Sequence, residues 1–252
     1  MAASASVAVL KAEARLFARE PGNLFWIVLS PTVLLTILGL IPAFREADPD
    51  LDGRRVIDLY VPVVVLTAMI MAGVQAMPPV LSGYRERGIL RRMSTTPVRP
   101  NALLAAQIGL HGAAVLCSVV LAITVGRVAF GVALPDRFAA YALTLFLAML
   151  SALALGAALS AVARSSKAAA ALGSVAFFSM MFTAGVWIPV PIMPELLQRI
   201  VSFTPLGAAS LALGEAAGGS WPNWLHLVVL VVWIRVLVGA AVRWFRWEKP
   251  GR

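Results

Sequence analysis

Chemistry in this sequence concentrates in one stretch, Tyr84-Arg85-Glu86-Arg87-Gly88-Ile89-Leu90-Arg91-Arg92-Met93, which runs on into Ser94-Thr95-Thr96-Pro97-Val98. Arginines offer charge-assisted hydrogen bonds to carboxylates and phosphates. Here they alternate with Ile89, Leu90 and Met93, so a helix made from this stretch carries apolar knobs among cations. Such a surface suits docking into a groove on an acidic protein partner. A second reading stays open, in which the arginines only fix topology and touch lipid phosphates.

Other constellations fail on inspection. A phosphate-cradling loop needs Gly-Lys-[Ser/Thr], and none of Lys11, Lys167 or Lys249 follows a glycine. The chain is therefore expected to bind no ATP and to be no enzyme by itself. Asp48, Asp50, Asp52 and Gly53 imitate half of a calcium loop, but the twelfth position is Leu59, where a bidentate glutamate is needed. An acidic, solvated loop is the simpler account. His111 and His226 stand in different apolar segments, and the single Cys117 sits within an apolar run, so no metal or cofactor site is expected.

The elements that carry these residues follow from composition. Of 252 residues, 60% are hydrophobic and 13% charged, with a mean hydropathy of +0.88, against roughly 45–50% and about 25% in soluble domains. Thirty-three charged residues cannot supply a polar skin for that length, so the solvent is the bilayer. The net charge of +9 would suit nucleic acid, but the charges punctuate long apolar runs instead of forming a basic face, which excludes that partner.

A hydrocarbon core of about 30 Å takes roughly 20 helical residues. Six stretches qualify, near 24–43, 59–82, 102–126, 139–163, 169–189 and 223–242. Their apolar runs are unbroken, which selects helices over barrel strands. The expected fold is a single all-α integral membrane domain over 1–252. With the N-terminus inside, alternate loops place fourteen basic residues on the inner side and six on the outer. The positive-inside rule then puts both termini and the 83–100 loop in the cytoplasm.

Residues 5–20 read as an amphipathic helix in the interface, with Lys11, Arg15 and Arg19 on one stripe and Leu10, Ala14 and Phe17 on another. A frayed polar tail is the alternative. Residues 190–222 are apolar yet broken by Pro191, Pro194 and Pro205, which suits an outer re-entrant pair of short helices or an ordinary outer loop.

Within the spans, Arg235 is the one charge at depth, and it either lines a pathway or snorkels. Phe178, Met181, Phe182 and Trp187 make the fifth span soft and aromatic, which fits an apolar, shape-variable substrate or plain contact with lipid. Ala148, Ala152, Gly156 and Ser160 form a stripe of small residues along the fourth span, which is expected to pack against another helix.

The run from Glu86 through Pro97 resembles the Glu-Arg-Gly-x-Leu-[Arg/Lys]-x-[Leu/Met]-x-x-[Thr/Ser]-Pro pattern of permease subunits of ATP-binding-cassette exporters, in the six-span drug and polysaccharide class. Phe182-Thr183-Ala184-Gly185-Val186-Trp187-Ile188-Pro189 and Thr204-Pro205-Leu206 are similar to that family's fifth span and outer helices. The resemblance implies a half-transporter in a bacterial plasma membrane, with a second permease chain, identical or related, and two ATPase subunits that bind ATP and magnesium. It implies that Glu86 to Met93, with the N-terminal helix, passes ATPase closure to the spans. Relatives export amphipathic drugs, of anthracycline or fluoroquinolone kind, and confer resistance; polysaccharide or lipid export and a non-transporting assembly role are the alternatives.

Overall fold

The computed structural model describes residues 2–51, 53–94 and 100–244. Its elements, in order, are α1 (Ala2–Ala18), α2 (Pro21–Gly39), α3 (Val56–Glu86), α4 (Ile89–Ser94), α5 (Pro100–Phe130), α6 (Phe138–Val162), α7 (Ser166–Thr183), α8 (Glu195–Ser202), α9 (Pro205–Ala217) and α10 (Trp224–Trp244). Six of them, α2, α3, α5, α6, α7 and α10, are long and apolar enough to cross a membrane, so the fold is the expected all-α, multi-pass one. The end of the bundle that carries α1 and the last turn of α10 is called basal below, and the other end distal.

Two spans stay continuous through proline. Proline lacks an N–H and its ring crowds the carbonyl one turn earlier. Pro31 follows a π-helical turn at Phe25–Leu29, and Pro78-Pro79 follow another at Met71–Ala76. The wider turn gives each crowded carbonyl room and keeps the helix continuous.

Span limits depart from expectation where local chemistry stops or extends a helix. The first span ends at Gly39 because Pro42 opens a separate short turn at Pro42–Phe44. The second runs on to Glu86, and its 31 residues measure about 46 Å, longer than the hydrocarbon is thick. The fifth stops at Thr183, since Gly185 turns at φ 88° just beyond.

The small stripe of α6 does the packing expected of it. Ala148, Ala152, Gly156 and Ser160 are all buried, and Ala152 and Gly156 meet the π turn of α3. A Cβ added at Gly156 would overlap the carbonyl oxygen of Gly73, and one added at Gly73 would overlap that of Ala152. The two helices therefore meet backbone to backbone, which only small residues permit. On the other side α6 packs along α10 and α9.

The segment after the fifth span forms the helical pair expected for it. The axes of α8 and α9 meet at 104°. Thr204 caps α9, its Oγ accepting the Gly207 N–H at 3.2 Å, while Trp233 Nε1 donates to the Phe203 carbonyl at 2.8 Å and anchors the corner to α10. Most of α9 is buried among α6, α10 and α3, whereas α8 leaves Leu196 and Ile200 exposed, and Phe203 at its end is exposed too. Helix α9, the stretch 189–191 and the ends of α3, α5 and α6 line a distal cavity of about 440 Å³.

Candidate functional site

The Tyr84–Met93 stretch turns out to be the last turn of α3, a glycine corner and the helix α4. Gly88 adopts φ 68°, the left-handed conformation that ends a helix cheaply only in glycine. That corner folds α4 back beside α3 and α5. Leu90 is 1% exposed and forms an apolar cluster with Tyr84 and Leu103, against which Ile89 and Met93 pack half-buried.

The expected exposed apolar knobs are thus corrected: Leu90 is spent on the chain's own α3 and α5, and Ile89 and Met93 lean on the same cluster. A six-residue helix beside two apolar span ends gains more by covering them than by facing water. What α4 and the corner leave outside is charged. Glu86, Arg87 and Arg92 are exposed, while the side chain of Arg91 and all of Thr95, Thr96 and Pro97 lie outside the described residues.

The end of α3 is tied to three other elements. The Glu86 carboxylate accepts the backbone N–H of Ser166 at 3.0 Å, at the first turn of α7, where an anion also meets the positive end of the helix. Ser165 caps the same turn by accepting the Ala168 N–H at 3.1 Å. Arg85 donates to the carbonyl of Ala163, just beyond α6. Arg87 stands over the Tyr84 ring, 5.9 Å from its centroid, and donates to the Gly83 carbonyl at 3.3 Å. The Tyr84 hydroxyl donates to Glu13 of α1 at 2.8 Å.

The packed face of α1 differs from the expected one. Leu10 is exposed, and the side turned to the bundle runs through Val9, Glu13 and Phe17. Lys11, Arg15 and Arg19 face outward as expected. A glutamate at the centre of a buried stripe is not a hydrophobic-periodicity signal, which is why the sequence hides it.

The structure does not bring the pathway candidates together. Arg235 is exposed on α10, whose main partners are α6 and α9, whereas α7 packs chiefly on α3. Of the α7 residues, Phe178 faces outward at 60% exposed and Phe182 is partly so, but Met181 is buried against the core. Trp187 lies beyond the helix and is exposed. A groove of about 270 Å³ opens between α2, α3 and α7, lined by Asn23, Trp26, Met71, Gln75 and Phe177 among others. Sequence reasoning missed Gln75, because one uncharged polar residue leaves a span's hydropathy high; its place in a π turn ahead of Pro78 is the usable signal.

At the distal end, Arg55 binds both oxygens of Asp58 at 2.8 Å and donates to the carbonyls of Phe130 and Gly131 at 3.1 Å, tying the first loop to the end of α5. Glu215 of α9 accepts the Asn223 N–H at 2.7 Å and meets His226 Nδ1 at 3.4 Å. Burial opposes the charge of Glu215, but the hydrogen bonds from His226 and Asn223 outweigh it and hold its carboxyl below the ordinary value.

A protein-family model described as ABC-2 type transporter matches residues 5–213. The Bacillus subtilis (strain 168) protein named "Putative transport permease YvfS" is 23% identical over 155 residues, covering 61% of this chain and 63% of that protein. The chain thus spans a little under two thirds of that relative's length. The family match takes in α1, the first five spans and most of the α8–α9 pair. On that coverage, and with the multi-pass helical architecture in agreement, the chain belongs to the ABC-2 type transporter family.

Proposed function

We propose that this chain is the permease of an ATP-driven exporter in a bacterial plasma membrane, with its basal end and both termini in the cytoplasm. Two permease chains, identical or related, would form the pathway, and two separate ATPase subunits would bind ATP and magnesium and press on the charged surface of Glu86, Arg87 and α4. The observation that carries this reading is the position of Glu86. It holds the first turn of the fifth span, while its neighbour Arg85 holds the end of the fourth. A push on α4 therefore has a rigid route into three spans, which a surface built only to set topology does not need.

The favoured cargo is an amphipathic drug. The groove between α2, α3 and α7 supports this, because Trp26, Met71 and Phe177 supply apolar, adaptable walls and Asn23 and Gln75 supply a few polar groups. The outward faces of Phe178, Phe182 and Trp187, and of Arg235 on α10, are surfaces on which lipid, substrate or the second permease chain would be met.

The deciding experiment measures accumulation of an anthracycline and a fluoroquinolone in cells with the chain, with its ATPase, with both, and with both after the ATPase is inactivated. Lower accumulation only when both are present and active supports the proposal. Equal accumulation in all four, with no ATPase recovered alongside the chain in mild detergent, overturns it.

A further inference from the structure

We infer that Glu13 is a positioning residue whose buried carboxylate pins α1 to the second and third spans, so that movement of α4 reaches α1, α3 and α5 as one body. Glu13 is 7% exposed on the face of α1 turned to the bundle. One of its oxygens accepts both the Tyr84 hydroxyl of α3, at 2.8 Å, and the Gln107 side-chain amide of α5, at 2.6 Å. Both of these partners are uncharged donors.

A carboxylate in such a place is costly to bury unless hydrogen bonds replace its water, and an apolar side chain would pack the same face at less cost. Its partners are devoted to it. Among the described residues the other end of the Gln107 amide, Oε1, is buried without a hydrogen bond, and the bond to Glu13 orients that side chain. One turn deeper on α5, the His111 ring is held by the Gln107 carbonyl at 2.9 Å and meets Phe17 edge-on at 5.1 Å. The apolar contacts of Val9 and Phe17 thus flank a polar pin.

Tyr84 makes the pin directional. Its ring belongs to the cluster that buries Leu90 and seats Ile89 and Met93, and its hydroxyl holds Glu13. The same side chain therefore feels α4 on one side and α1 on the other. An apolar seam slides, whereas a hydrogen bond fixes angle as well as distance. This inference rests on the proposed function for its mechanical meaning, but the pin itself is testable on the permease alone.

The test uses the full chain in lipid nanodiscs, with the exposed Cys117 replaced by serine and a spin label at exposed Lys11. Glu13→Ala and Tyr84→Phe are expected to mobilise the label, shifting the balance of docked and undocked α1 by about tenfold, the loss expected for a hydrogen bond to a charged group. Glu13→Gln keeps a carbonyl acceptor and is expected to restore most of the docking. Tyr84→Phe keeps the ring packing, so it answers the question if Glu13→Ala does not fold. With the ATPase in proteoliposomes, substrate moved per ATP hydrolysed should fall in Glu13→Ala, recover in Glu13→Gln, and fall no further in the Glu13→Ala/Tyr84→Phe double variant. An unchanged label in both Glu13→Ala and Tyr84→Phe overturns the pin. A mobilised label with unchanged transport per ATP overturns its positioning role. Absence of ATP-dependent transport in the unaltered chain sinks the exporter reading instead, and the label still decides whether Glu13 docks α1.

Discussion

Glu86, the last residue of the second span, accepts the backbone N–H of Ser166 at the first turn of the fifth. The bond is exposed, so it adds little to global stability, about 0.5–1 kcal/mol on the scale of helix caps. Its value is geometric, because it joins two helices 80 residues apart in sequence at the place where the α4 corner begins. Replacing Glu86 and Arg87 together by alanine is expected to leave membrane insertion and thermal stability nearly unchanged while lowering efflux per ATP hydrolysed. Paired measurements of ATP hydrolysis and substrate movement check this, and unchanged coupling would remove the ATPase-docking role from this corner.

The contact of Gly156 with Gly73 leaves no room for a side chain on either residue. Gly156→Ala would push a methyl group into the carbonyl oxygen of Gly73, and although the Met77 side-chain end beside it can move aside, the facing backbone cannot do so cheaply. The expected cost is about 1–3 kcal/mol, typical of overpacking, with Gly156→Leu worse. Thermal unfolding in detergent should show a lowered Tm for Gly156→Ala. The same substitution at Gly109, where a Cβ would meet nothing within 4 Å, should leave Tm nearly unchanged.

Much of this architecture is written in hydropathy. Long apolar runs locate the six spans, and the prolines at 191, 194 and 205 announce the bent pair, because both signals are local. The candidate site is less legible for the same reason. Glu13 reads as one more charge on a wet helix, and only partners 71 and 94 residues away make it a buried acceptor. Ile89, Leu90 and Met93 advertise an apolar surface without saying what covers it; here α3 and α5 do. Arg235 reads as buried from its depth in the run, yet the helix turns it away from α6 and α9, a choice set by packing that periodicity in an almost wholly apolar span cannot reveal.

Arg235 stands about 17 Å along α10 from Trp224, on the outward face, and among the described residues it makes no hydrogen bond or ion pair. An arginine held at that depth costs about 2.5–3.5 kcal/mol on insertion scales, so a residue that did nothing there would be a burden on the span. Arg235→Leu is therefore expected to raise or preserve the amount of protein in the membrane and to lower export per molecule. Export normalised to membrane-localised protein checks this. A fall that merely tracks lower protein levels would deprive Arg235 of a part in transport.

The Glu215 contacts give the distal end a pH dependence whose sign is fixed. The carboxyl of Glu215 is held below its ordinary value of 4.5, so its charge stabilises the folded state above that pH. The contribution is lost as pH falls through the lower, folded value and the carboxylate becomes protonated. Glu215→Gln removes the charge at every pH, so the variant should be less stable than the unaltered chain at pH 7, and the gap should close under acid. Tm measured for both proteins in detergent from pH 7 downward tests this. A gap that persists when Glu215 is fully protonated would mean that the shape of the side chain, and not its charge, holds α9 to the start of α10.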